Sequence, residues 1–326
     1  MWDFRIGRSL FVLLRTWPFI VLRLVVYFAA LFAYAGAVGA GAGIGWGLGH
    51  VFGPDGPVLL GLAGGVLGFG FVWAVLYWLR EYSLYLVKAG HIAAMVHLID
   101  GHAVPGGAGQ VGYAHAVVKR RFAEASAFFV VDQLVKGAIR AVATLIGGFA
   151  ALLRVPGLGG LVSLLNAVVR LSVTYVDELV LGYNIRQHSA SPFETARQGV
   201  VLYAQNGMAM VKNAVWLALI QWGLVVAIFV VMLAPAGSLV YLMPGQSSGW
   251  VFVLALFLAW AVKAAVIEPF AIACLMQVYF ARIEGQLPDP EWDRKLSQAS
   301  EQFRKLKERA AQGWGGEAPG WRPSAA

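Results

Sequence analysis

WVFVLALFLAWAVKAAVIEPFAIACLMQVYFA, residues 250–281, carries only two charged side chains, Lys263 and Glu268, in an otherwise apolar run. The run is continuous and does not alternate at period two, which argues against a strand of a membrane barrel. At 1.5 Å per residue a straight helix of this length would reach about 48 Å, against a hydrocarbon core of about 30 Å. It must tilt, project into the cytoplasm, or break. Pro269 is the expected break, because proline lacks an N–H and its ring clashes with the carbonyl four residues back. Five positions separate Lys263 from Glu268, about 140° on a regular helix, so they are not expected to pair there. Two readings remain open. Both charges sit at membrane depth beside a proline break, as in transporter sites, or the bilayer ends near Lys263 and Glu268 is already in the cytoplasm.

Working outward, three more apolar runs are long enough to span: residues 19–43, 57–79 and 214–236. The composition agrees, with 59% hydrophobic and 13% charged residues where a soluble domain would carry about 25% charge. Thirty-nine glycines and twelve tryptophans suit close helix packing and interfacial anchoring. The expected fold is an all-α polytopic membrane protein with four transmembrane helices and a central hydrophobic helical hairpin. Six spans are the alternative.

Its organisation follows from charge and turn signals. Residues 1–18 read as an interfacial amphipathic helix with Arg5, Arg8 and Arg15. They do not read as a signal peptide, because the apolar core from Leu24 to Gly49 is far too long for one. Residues 19–79 form a glycine-rich first transmembrane pair, 80–212 a central cytoplasmic or re-entrant region, and 213–283 a second pair. Residues 288–311 read as a cytoplasmic amphipathic helix and 312–326 as a disordered tail. Lys and Arg are missing from both expected outer loops, so both termini are expected in the cytoplasm of a multi-pass protein of the cell (inner) membrane. The net charge of +8 then faces anionic lipid, and no nucleic-acid partner is expected.

The central region holds the helix-like stretch 81–100, the Gly/Pro loop 101–112, and a long helical pattern from Tyr113 to Leu153. Ala141 to Leu153 is uncharged for only thirteen residues, the length of a re-entrant or interfacial helix as often as of a span. A hairpin with its tip at PGLGG, residues 156–160, keeps Arg154 off the outer face.

The next segment, LLNAVVRLSVTYVDELVLGYN (164–184), is apolar apart from one stripe. Ser163, Asn166, Arg170, Thr174, Asp177 and Asn184 fall within an arc of about 80°, with Glu178 off its edge. Asp132, Lys136 and Arg140 make a similar stripe upstream at i, i+4, i+8. A charge left in hydrocarbon costs at least ~2.5–3.5 kcal/mol, so these faces are expected to meet water or protein. They line a solute cavity, or they rest at the cytoplasmic interface with the polar side wet. The cavity candidates are Asp132, Lys136, Arg140, Asn166, Arg170, Thr174, Asp177, Lys263 and Glu268.

Gly39, Gly43 and Gly47 repeat every four residues, as do Gly61 with Gly65 and Gly64 with Gly68, a small-xxx-small pattern for helix crossing between spans or between protomers. No phosphate loop, HExxH, CxxC or GxSxG occurs, and the single cysteine, Cys274, excludes an intrachain disulfide. No catalytic residue, metal or cofactor is expected, and the chain is not read as an enzyme. In the C-terminal segment Trp292, Leu296, Ala299, Phe303, Leu306 and Ala310 follow a 4-3-4-3-4 rhythm. This seam docks on the chain's own cytoplasmic helices or joins a homo-oligomer, and it leaves room for a cytoplasmic partner.

RRFAEASAFFVVDQLVKGAIR (120–140) and LLNAVVRLSVTYVDELVLGYNIRQHSASPFETARQGVVLYAQNGMAMVKNAV (164–215) resemble, in order and spacing, two segments of the choline transporter-like family. The resemblance implies transport of a small polar solute or a lipid head group, and carries no binding residues over. The function expected is that of a transport or channel-like protein for a small polar or charged solute, with a polar cavity open to the cytoplasm. A non-catalytic oligomeric membrane scaffold is the alternative.

Overall fold

The computed structural model describes residues 2–107, 109–121, 125–152, 174–187, 191–241 and 249–312. Among these, regular structure is helical throughout, and four helices are long and apolar enough to cross a membrane: Trp17–Phe52, Gly56–Val75, Gly207–Tyr241 and Val251–Ile283. The chain is an all-α polytopic membrane protein. In lipid only a helix satisfies its own backbone groups, which is why uninterrupted runs of Leu, Val, Ala and Phe adopt it.

In chain order the helices are α1 (Ile6–Arg15), α2 (Trp17–Gly49), α3 (Gly56–Ile99), α4 (Gly109–Arg121), α5 (Ala125–Leu152), α6 (Val176–Gln187), α7 (Pro192–Gln205), α8 (Gly207–Tyr241), α9 (Gly249–Val262), α10 (Glu268–Ile283), α11 (Pro290–Ala299) and α12 (Glu301–Ala311). A 3₁₀ turn, His50–Phe52, follows α2, and a π-helical turn, Lys263–Ile267, joins α9 to α10. The chain divides into two compact units. An apolar unit holds Trp17–Lys88 and Val225–Ile267; a helical unit holds Met1–Thr16, Ala89–Leu224 and Glu268–Ala326.

In the apolar unit α2 and α3 meet backbone to backbone. A Cβ placed on Gly41 would lie 2.1 Å from the Gly64 carbonyl oxygen, one on Gly45 1.9 Å from that of Leu60, and one on Gly68 2.1 Å from that of Ala37. The turn between them closes at Gly53, whose φ of +91° suits glycine. The crossing ridge of α2 is therefore Gly41, Gly45 and Gly49. Gly39, Gly43 and Gly47, expected from the sequence as the packing ridge, have nothing within 4 Å of an added Cβ. Gly61 and Gly65 do face α2, at ordinary contact distance from Trp46, Ala42 and Val38. A second contact packs Ala236 of α8 and Ala255 and Leu258 of α9 against Phe28 and Leu31 of α2. Phe32, Leu62, Val66 and Val230 are exposed, as side chains facing acyl tails must be.

The helical unit is built on α5, α6, α7, α10 and α12, with α1 packed on α10. Its centre is three buried tyrosines, Tyr183, Tyr203 and Tyr279, with the Tyr279 hydroxyl donating to the Gly199 carbonyl at 2.9 Å. The second span, expected to end at Leu79, continues without a break to Ile99, and Ala89 and Ile92–Val96 are core residues of the helical unit. The helical pattern expected over Tyr113–Leu153 is helical where it is described, in α4 and α5. The single helix expected over 288–311 is two, because Ser300 turns extended and its hydroxyl caps α12 by accepting from the Phe303 N–H at 3.1 Å. Leu296, Phe303 and Leu306 are fully buried against α5 and α7, so the seam is occupied by the chain's own helices. The tip of the expected hairpin at 156–160 lies outside the described residues.

Candidate functional site

The last span is interrupted where the sequence places its two charges. The break takes the form of a π-helical turn, Lys263–Ile267, immediately before Glu268 and Pro269. Proline at 269 cannot donate to the carbonyl of residue 265 and would clash with it, and a wider i→i+5 turn removes both conflicts without ending the helix. Such a turn also alters the rotation between its ends, so the 140° expected for a regular helix does not apply. Counting from Val251 at 1.5 Å per residue, Lys263 lies about 18 Å and Glu268 about 25 Å along this 33-residue span. Each is half-buried.

The upstream stripe lies on α5. Lys136 Nζ sits 2.6 Å from Asp132 Oδ2, the i, i+4 pair read from the sequence. Arg140 is exposed, and Thr144 donates back to the Arg140 carbonyl at 2.9 Å. The opposite face, Val131, Val135, Ala138, Ile139 and Val142, is buried. Lys136 and Arg140 thus point away from the core of the helical unit.

The downstream stripe divides. Asn166 and Arg170 lie outside the described residues. Thr174 is exposed and Asp177 half-buried, whereas Glu178, off the edge of the expected arc, is buried. Asn184 is buried because its Nδ2 donates to the Pro192 carbonyl at 2.9 Å, holding the entry to α7. Next to Thr174, the Tyr175 hydroxyl donates to the buried Gln221 of α8 at 3.4 Å. Among the described residues, Lys136 and Arg140 lie on an outer face of α5, Thr174 and Asp177 at the start of α6, and Lys263 and Glu268 at the π-turn.

Three polar clusters of the helical unit escaped the sequence reading. Asp3 accepts from Lys212 Nζ at 2.8 Å, Asn213 Nδ2 at 3.0 Å and Arg282 at 3.1 Å, while its own N–H donates to Asn213 Oδ1 at 2.7 Å. The Lys212 ammonium, foremost among these donors, holds the Asp3 carboxyl well below the usual carboxylate range. Arg197 of α7 binds Glu194 at 2.7 Å and also Asp293 of α11, which in turn holds Lys307 of α12 at 2.5 Å. Burial pushes the Asp293 carboxyl up, but Lys307 and Arg197 outweigh it and the net shift is down. Arg186 Nε meets Asp100 at 3.0 Å, its guanidinium over the Phe280 ring. The motif SPFE, residues 191–194, signals part of this: Ser191 caps α7 and Glu194 sits at its third position, as in a capping box. The long-range pairs have no local signal.

Among the described residues no three His, Cys, Asp or Glu side chains converge to hold a metal ion. No family model matches this chain, and searches of curated proteins and of solved structures return no match.

Proposed function

We propose that this chain is a transport or channel-like protein for a small polar or charged solute, reached from the cytoplasm through the interrupted last span. The observation that carries this reading is the π-turn itself, a widened helical turn bounded by a cation and an anion inside a 33-residue apolar span. A charge facing acyl tails at that depth costs at least ~2.5–3.5 kcal/mol, and broken helices bearing charge are how membrane transporters present ions and dipoles to a solute. Lys263 supplies attraction for anionic groups and Glu268 for cationic ones. In this reading the protein is a homo-oligomer of the cell (inner) membrane with both termini in the cytoplasm. The resemblance to the choline transporter-like family makes choline the first cation to try.

The test is uptake into liposomes holding the purified protein, with choline, K⁺ and Cl⁻ as solutes. The expected result is uptake by the native chain that falls tenfold or more in Lys263→Leu or Glu268→Gln proteins of unchanged thermal stability. Unaltered uptake in both variants refutes the site. Absence of uptake of all three solutes by the native chain favours the second reading, a membrane scaffold. That alternative is favoured by the outward polar face of α5 beside the docked pair α11–α12, and there, deleting Pro290 onward abolishes partner binding.

A further inference from the structure

We infer that the outer face of α1 is a binding surface for anionic phospholipid in the leaflet it faces. α1 has two faces of different chemistry. Ser9, Val12, Leu13 and the capping Thr16 are buried in the helical unit. There Ser9 Oγ accepts from Cys274 Sγ at 3.1 Å and from Gln277 Nε2 at 2.6 Å of α10, while Thr16 Oγ1 lies 2.8 Å from His91 Nε2. This inner face fixes the rotation of the helix, and so decides what points outward.

Leu10, Phe11 and Leu14 point outward, 46%, 51% and 72% exposed. Beside them on the same outer arc are Arg8 and Arg15, both exposed. One Arg8 nitrogen donates to the Ile99 carbonyl at 2.5 Å, which anchors the guanidinium while leaving its other N–H groups available. Arg15 lies over the Phe11 ring at 5.5 Å. α1 contains no acidic residue, and the neighbouring Asp3 is already bound by Lys212, Asn213 and Arg282. An apolar ridge flanked by arginines that no acidic side chain among the described residues neutralises complements an acyl-chain boundary capped by phosphate.

Chain length says what is within reach. α2 starts at Trp17, with only Thr16 between it and α1, and the uncharged run begins at Leu24. Seven helical residues span about 10 Å, so α1 is tethered at the level of the head groups. Trp17, 54% exposed, is the residue type that marks that level. A helix of this character lies with its apolar face sunk into the boundary between head groups and acyl chains. Because its buried face is bonded to α10, the same helix ties lipid charge to the segment that follows the π-turn.

The experiment labels Leu14→Cys with an environment-sensitive fluorophore in the full chain, in phosphatidylcholine nanodiscs with and without phosphatidylglycerol. The native chain, whose one cysteine is buried, is the labelling blank. At about fivefold in partition per basic residue near an anionic surface, Arg8 and Arg15 together raise the inserted-to-free ratio about 30-fold when phosphatidylglycerol is present. Arg8→Gln or Arg15→Gln removes about fivefold each, and spin-labelled lipid quenches the probe while aqueous iodide does not. Equal insertion in both lipid compositions overturns the anionic recognition. Iodide quenching in every nanodisc overturns lipid contact altogether. Protection from both quenchers also overturns it, and assigns the face to a second protein copy. None of these outcomes alters the reading of the π-turn.

Discussion

Replacing Gly45 by alanine tests how the two helices of the first transmembrane pair meet. The added Cβ would lie 1.9 Å from the Leu60 carbonyl oxygen and 2.6 Å from its carbon, both backbone atoms that no rotamer change can move. Restoring even 3.0 Å, below which real Cβ contacts are essentially never seen, requires α2 and α3 to part locally by 3.0 − 1.9 = 1.1 Å. A radial gap of 0.5–1 Å already forfeits a quarter to a half of each dispersion contact, and overpacking of this kind costs about 1–3 kcal/mol. Alanine regains up to about 1 kcal/mol of helix propensity over glycine, so the net loss is up to about 2 kcal/mol. Gly43→Ala is the control: its Cβ meets nothing within 4 Å, and stability should be unchanged or slightly raised. Thermal unfolding in a mild detergent, followed by helical circular dichroism, reads both. If the two variants shift alike, or Gly43→Ala is the more damaging, the crossing face is wrong. A change in protomer number on Gly43→Val with unchanged protomer stability would instead place a second copy on the open ridge.

Three further outcomes follow from the helical unit. Phe303→Ala empties a fully buried site and should cost about 3–5 kcal/mol, seen as raised hydrogen exchange over 290–311 while exchange in α7 stays low. Asp293→Asn removes the charge shared by Arg197 and Lys307, and one of the two acceptor oxygens, and should cost about 1.5–3 kcal/mol. Combining it with Lys307→Met should add little, which a double-mutant cycle measures. Asp3 and Asp293 both titrate below the ordinary carboxylate range, so their stabilisation is complete above that range and is lost as pH falls through the depressed values. Exchange at residues 2–8 should therefore stay flat from neutral pH to mild acidity and rise at stronger acidity, and Asp3→Asn should remove the rise.

The four spans were legible because length and continuity of apolar residues alone decide them in a bilayer. The glycine register was not. In GAVGAGAGIGWGLG, residues 36–49, glycine stands at 39, 41, 43, 45, 47 and 49, so two ridges on different faces satisfy the same four-residue rule. Only the partner, with Gly56, Gly64 and Gly68 on α3, selects between them. The break in the last span was legible at Pro269, but its form was not, because a π-turn keeps the helix running. Asp132 with Lys136 was legible as a local pair. The burial of Glu178 and Asn184 had no local signal, since packing against α5, α7 and α10 sets the rotation of α6. Asp3 with Lys212 and Arg197 with Asp293 join residues about 209 and 96 positions apart, beyond any periodicity.

The most direct measurement is the reactivity of cysteines placed along the last span, in vesicles, toward a small charged thiol reagent that does not cross membranes. Lys263→Cys and Glu268→Cys should react, while Phe257→Cys, on a lipid-exposed position of the same span, should not. Residues 263 and 268 as inert as 257 would mean that no water reaches the π-turn, and the proposed solute path would not exist.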